Sequence, residues 1–291
     1  MMLSNDDSTL FYRLNPALLT YANEQLGLLK GVTTVEKFME LVPEEKIKVR
    51  NAFYDNLKIL EAFIDENPHG FTEEELGIIE NWKHFVRSRF LVMAYHKKYA
   101  LFQEEGSSRI YGVLTLTTDF KEMLGRALPV LVETVLIPFQ DKIIYDGFML
   151  PYGISFGPGI RGSMRDSFEE EMARSGIISS LPFAVSEPDD QKMLKFYLKS
   201  RSNREMYWEE IQDLINENRN RLIFYHQEMG RLNSRTSKKN FKKIGIGSGF
   251  YAIVEGQVVA AGRTKSELEQ IVNAIVPPGK REFVYVFQQG K

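Results

Sequence analysis

The chain contains no cysteine. Disulfides, zinc–thiolate centres and cysteine nucleophiles are therefore excluded, and the absence fits a reducing compartment. A dominant charge is missing too: 37 Lys and Arg stand against 39 Asp and Glu, for a formal net charge of -2. No global field favours nucleic acid or an acidic membrane, so any such partner must be met by a local patch. Long hydrophobic runs are lacking. The most apolar stretch, ALPVLVETVLIPFQ at 127–140, is interrupted by Glu133, Pro129 and Pro138 and is too short to span a bilayer. The N-terminal MMLSNDDSTLFYRLNP is acidic and polar, unlike a signal peptide. The expectation is a soluble, cytoplasmic protein with no membrane partner.

Histidine is also sparse. His69, His84, His96 and His226 show no H-E-x-x-H or comparable spacing, and His84 and His96 lie more than three helical turns apart. Neither a metal centre nor a cofactor is expected. A nucleophile elbow, G-x-S-x-G, is absent. The near match GIGSG, Gly245–Gly249, has its serine one place off and reads as flexible entry to the last module.

What is present has globular character: 291 residues, 43% hydrophobic and 26% charged, enough for a sizeable core and for two or three modules or one large domain. The first third reads as helices. Asn15-Pro16 suits a helix start, with proline at the first helical position. Ile47, Phe53, Leu57, Leu60, Phe63 and Ile64 recur at helical spacing until Pro68-His69-Gly70. Thr72 and Glu75 form a capping box, with Phe71 placed to staple the entry, and the apolar stripe continues through Phe85, Val86, Phe90 and Met93. The spacing predicts an antiparallel pair of long helices.

At about Tyr99 the period falls to two. ALFQEEGSSRIYGVLTL reads as strand, turn, strand; PVLVETVLIPF is β-branched; KIIYDGFMLPYGISF reads as two short strands around Asp146-Gly147. About five short strands in so short a span suit a small antiparallel β-barrel, SH3-like in size. Helix returns at Asp166, with Glu169 as its capping partner and Gly176 as its stop. A second start lies at Ser186-Glu187-Pro188, and a helical region broken near Ser200 to Asn203 runs to about Arg231. Residues 231–243, RLNSRTSKKNFKK, hold six basic residues and no acid, and they read as a linker. Beyond it, Thr264 and Glu267 box a helix between a hairpin turning at Glu255-Gly256 and a last strand, in the order ββαβ.

The expected class is α+β: a helical N-terminal part (1–98), the small barrel (99–165), a helical segment (166–230), a basic linker (231–244) and the ββαβ module (245–291). Within that module, Phe250-Tyr251-Ala252-Ile253-Val254, Gly256-Gln257-Val258-Val259-Ala260 and Gly262 form an aromatic-led strand and a hairpin return ending in glycine. Residues 245–288 thereby resemble a small prokaryotic module classed as a domain of unknown function. The resemblance implies a fold and a prokaryotic setting, and no activity.

Two stretches carry candidate chemistry. SFGPGIRGSM, Ser155–Met164, contains a literal G-x-G-x-x-G. A dinucleotide loop needs a preceding parallel strand and an acid about twenty residues on, and both are missing here. The glycines read as left-handed or bulged backbone leaving the barrel. An anion site at Arg161 and Arg165 is the alternative reading, weakened by Asp166. The basic run offers Arg231, Arg235, Lys238, Lys239, Lys242 and Lys243 for phosphate contact, with Phe241 and Tyr225 available for stacking on single strands. No catalytic constellation is local in sequence. The leading expectation is a non-enzymatic binding or regulatory protein whose partner, protein or nucleic acid, is met through the basic linker. The alternative is a metal-dependent enzyme acting on nucleic acid or nucleotide with Asp146, Asp166, Glu169 or Asp189 as scattered acids.

Overall fold

Ser4 accepts the Asp7 N–H at 3.1 Å and starts the first helix, α1 (Asn5–Leu26), so the chain enters helix well before Asn15. Pro16 sits inside α1, not at its start. Short helices α2 (Val35–Glu40), α3 (Pro43–Tyr54), α4 (Lys58–Glu66) and α5 (Glu73–Asn81) follow. Thr72 and Glu75 form the expected capping box on α5. The computed structural model describes residues 2–183 and 189–290 of this chain.

The predicted long helix pair is the first departure. After α5 and a 3-10 turn at Trp82–His84, the chain becomes strand β1 (Val86–Tyr95). Phe85, Val86, Phe90 and Met93 fit a helical stripe, but Phe90 and Val92, two apart, are the positions fully buried. A β-branched and aromatic run satisfied both periods, and packing selected the strand. The sheet region therefore begins at Val86 and not at 99. Strands β2 (Ala100–Glu104) and β3 (Ile110–Leu114), a short helix α6 (Phe120–Leu124), and strands β4 (Val130–Phe139) and β5 (Lys142–Pro151) complete it.

β5 is one strand. Asp146-Gly147 lies within it, beside a register shift opposite Thr134 and Leu136, and Gly147 has φ +93°, a bulge conformation natural to glycine. β1 pairs antiparallel with β2 and β4, β2 with β3, and β4 with β5. β3 pairs with β5 in parallel, so the sheet is mixed and not wholly antiparallel. The strand order is β1-β2-β3-β5-β4, and the β4–β1 pairing returns it to its start. One apolar core joins the interior to the helical layer: Phe11 of α1 meets Phe139 at 6.2 Å and Trp82 at 6.1 Å between ring centres.

Helix α7 (Pro158–Ser175) starts eight residues before Asp166, with Gly157 at its cap. Gly159 and Gly162 are ordinary helical residues, and the expectation of left-handed or bulged glycine fails. Nothing lies within 4 Å of a Cβ added at Gly159. Gly159→Ala is therefore expected to be neutral or to raise stability by up to about 1 kcal/mol, by restricting the unfolded chain. Thermal unfolding of the two proteins checks this. Gly176 stops α7 as expected, with φ +72°.

The chain divides by contact into Met1–Glu187 and Pro188–Lys291. α7 thus groups with the strands, and the later helices with the ββαβ module, in place of a separate 166–230 segment. The start signal at Ser186-Glu187-Pro188 lies outside the described residues. α8 (Asp190–Leu198) is capped by Asp189, α9 (Arg201–Met206) by Ser200, and α10 (Trp208–Glu217) follows. Helix α11 (Arg219–Ile244) then runs through the whole stretch expected to be a linker. Strands β6 (Gly249–Val254) and β7 (Gln257–Gly262), helix α12 (Lys265–Ile275) and strand β8 (Tyr285–Gln289) appear in the expected order, and the sheet is ordered β7-β6-β8. α12 packs on the Ala252 side of this sheet. No helix among the described residues is long and apolar enough to cross a membrane.

Candidate functional site: the exposed face of α11

α11 is helical across its basic run because one of its faces is held. Gln227 donates to the Glu282 and Val284 carbonyls at 2.6 and 3.0 Å. Gly230 sits against Tyr285, and the Phe241 ring meets those of Tyr251 at 4.7 Å and Phe287 at 6.2 Å. Residues 227, 230, 234 and 241 recur three, four and seven apart, the period of one helix face. Phe241 is therefore committed to packing and is not free for base stacking. Tyr225 lies on α11 about four turns earlier and packs edge-on against His226, away from Phe241. It does not join a stacking platform.

At 100° per residue, Arg231, Arg235, Lys238, Lys239, Lys242 and Lys243 fall within an arc of about 140° over a rise of about 18 Å. The structure brings all six onto one side of one helix. Arg231 is then set apart: its Nε donates to Glu228 at 2.8 Å. That hydrogen bond holds the Glu228 carboxyl below the usual range, and Arg231 is correspondingly raised. The other five are exposed, and none forms a salt bridge among the described residues. Lys238 lies over the Phe287 ring, its ammonium 5.7 Å from the centre. The result is a row of cations on a helix whose adjoining face packs on a sheet.

Arg161 and Arg165 belong to the first unit. They are exposed, one turn apart on α7, and line a cleft of about 560 Å³ with His96, Met93, Phe168 and Glu169. The glycine-rich segment thus supplies neither a turn nor a phosphate loop, yet its two arginines do border a cavity.

The scattered acids do not converge. Asp146 is fully buried, its Oδ2 3.4 Å from Arg50 Nε and its Oδ1 accepting the Phe148 N–H at 3.2 Å. Burial pushes its carboxyl up to about 7, against the pull of Arg50. Asp166 is exposed on α7, Glu169 borders the cleft, and Asp189 caps α8 and pairs with Lys192 at 3.0 Å. Among the described residues, no three His, Asp or Glu side chains are grouped to hold a metal ion. Three of the four histidines pack on separate rings: His69 on Phe71, His96 on Tyr99 and His226 on Phe283. Burial lowers His226 below its ordinary value.

The reading of 231–243 as a linker missed a visible signal. The cations themselves recur at 231, 235, 238/239 and 242, a helical period that a solvated connector does not need. In comparisons with known proteins, no family model, no curated protein and no solved structure matches this chain.

Proposed function

We propose that this is a non-enzymatic binding protein that engages the sugar–phosphate backbone of nucleic acid through α11. The observation that carries the reading is the row of five exposed cations, Arg235, Lys238, Lys239, Lys242 and Lys243, on one face of a helix fixed by its other face. Phosphate contact needs local cationic density and no base-specific geometry. In a chain of net charge -2 the row is a local cationic patch, of the kind that meets a polyanion. An acidic membrane is disfavoured because a surface-lying helix inserts an apolar face. The apolar side of α11 is spent on Tyr251, Tyr285 and Phe287.

The five-stranded sheet of the first unit is, in this reading, a small closed Greek-key barrel of the oligonucleotide-binding type and not SH3-like. Its support is the order β1-β2-β3-β5-β4, the parallel β3–β5 pair and the placement of α6 between β3 and β4. Such barrels take ligands over strands two and three. Here Phe168 and Met172 of α7 cover Leu101 of β2 and Ile110 of β3, and fold alone does not assign function. Nucleic acid is therefore assigned to α11 and not to that face. The lack of cysteine supports a cytoplasmic setting, and the resemblance of residues 245–288 to a prokaryotic module supports a prokaryotic one.

The test is fluorescence anisotropy of labelled single-stranded DNA and RNA with the full chain at about 50 mM salt, where phosphate contacts are strongest. The wild type is expected to bind with little sequence preference. Replacing Lys238, Lys239, Lys242 and Lys243 together by alanine is expected to weaken binding at least tenfold, while stability falls by no more than about 1 kcal/mol for the lost Lys238–Phe287 contact. No binding by the wild type, or equal binding by the variant, overturns the proposal.

A further inference from the structure

The cleft beside α7 has the build of a second, independent site. α7 presents residues 161, 165, 168 and 172 to it, spaced by three or four and so on one helix face. The first two are arginines and the last two are Phe168 and Met172. One helix face thus runs from cationic to apolar along its length. Met93 of β1 extends the apolar wall, and Phe168 is anchored, buried against Leu101 and Ile110. Neither Arg161 nor Arg165 makes a salt bridge among the described residues. The volume, about 560 Å³, lies within the range of small-molecule sites.

We propose that this cleft binds a monoanionic amphiphile: a carboxylate head held by Arg161 and Arg165, with a hydrocarbon or aryl body laid over Met93, Phe168 and Met172. The polarity of the face fixes the ligand's direction, with its head toward the N-terminal half of α7. Guanidinium groups match the planar, two-oxygen geometry of a carboxylate. Glu169 also lines the cleft, so the charge offered by the lining is two arginines against one carboxylate. That balance suits a single negative charge and disfavours a di- or triphosphate. A neutral amphiphile would leave both arginines unused, and a small polar anion would leave the apolar wall wet.

The experiment is isothermal titration of the full chain with decanoate, with decanol and with inorganic phosphate. Decanoate is expected to bind with a Kd in the micromolar range, at one site, and more tightly than either comparator. Arg161→Ala with Arg165→Ala is expected to weaken it tenfold or more, the value of one charge-assisted hydrogen bond of about 1.4 kcal/mol. Both arginines are exposed, so the variant should melt as the wild type does. The fourfold lysine variant of α11 is expected to bind decanoate normally, which separates this site from the nucleic-acid one. Absence of decanoate binding, equal binding of decanol, tighter binding of phosphate, or an unaffected arginine variant overturns the proposal.

Discussion

Asp146→Asn is expected to gain stability relative to the wild type as pH rises from about 4 through about 7, because only the wild type must give up a proton held by the fold. Asp146 is fully buried, and Arg50 is buried nearly as deeply. Their approach, 3.4 Å from Nε to Oδ2, is electrostatic only, since neither atom has a hydrogen-bond partner. The charged groups facing the carboxyl are few. Arg50 and Tyr54 come from α3, and Tyr54 is held neutral because burial and Asp146 push it well above its ordinary value. Tyr145 on the same strand is raised likewise. Desolvation of the carboxylate exceeds the attraction of Arg50, which is why the group titrates near 7 and not near 3.8.

The sign of the pH dependence follows. A carboxyl whose folded value is raised binds its proton more tightly folded than unfolded. Its contribution is fully favourable below about pH 4 and is lost as pH rises through about 7. The difference between the two proteins should therefore move in favour of asparagine as pH rises from 4 through 7 and level off above it. Asparagine keeps an oxygen for the Phe148 N–H, but its Nδ2 donor then faces the Arg50 Nε–H, a cost that does not vary with pH. Chemical denaturation of both proteins from pH 4 to 8 measures the difference. A difference that stays constant from pH 4 to 8 would show instead that the carboxyl is not raised by burial.

Gly230→Ala is expected to destabilise the second unit by about 1–3 kcal/mol, the usual cost of overpacking a filled core. Alanine would gain about 1 kcal/mol in helix propensity at this interior position of α11. Its Cβ would stand 2.2 Å from the Tyr285 Cβ, however, and 2.8 Å from Cγ. Those atoms are at the root of the side chain, so a rotamer change cannot clear them, and α11 must move off β8. Valine at the same position should cost more. Gly159→Ala makes a paired control, because the same exchange there meets open space. Calorimetric scans of the two variants are expected to shift in opposite directions or, for Gly159, not at all. A Gly230→Ala protein as stable as the wild type would mean that α11 does not contact the sheet so closely.

The comparison of these two glycines shows what was legible in the sequence. Local chemistry read well. The Thr72–Glu75 capping box, the Gly176 stop and the Thr264–Glu267 start each depend on a few adjacent residues, and each is present. The ββαβ order was legible for the same reason: a tight turn at Glu255-Gly256, short β-branched and aromatic runs, and a capped helix between them. What escaped depends on partners distant in the chain. Val86–Tyr95 carries both periods, and only pairing with β2 and β4 decides for strand. Lys142–Pro151 contains a hairpin dipeptide, yet β4 continues alongside it and the dipeptide becomes a bulge. The basic run of α11 has weak apolar content, and its helix is fixed by Gln227, Gly230 and Phe241 meeting β8 and β6. The candidate contact residues were legible as a composition, and their alignment into one row was not. Arg231 could not be separated from the others until Glu228, three residues before it, was seen to take it.

The most direct measurement is the salt dependence of nucleic-acid binding by the full chain. If five cations of α11 each neutralise a phosphate, log Kobs should fall linearly with log salt, with a slope of about -3.5 on single strands, at ~0.7 per phosphate. The fourfold lysine variant, with only Arg235 left in the row, should show a slope of less than about -1 in magnitude on the same basis. A wild-type slope near zero, or one that the four substitutions leave unchanged, would contradict the assignment of α11 as the nucleic-acid face.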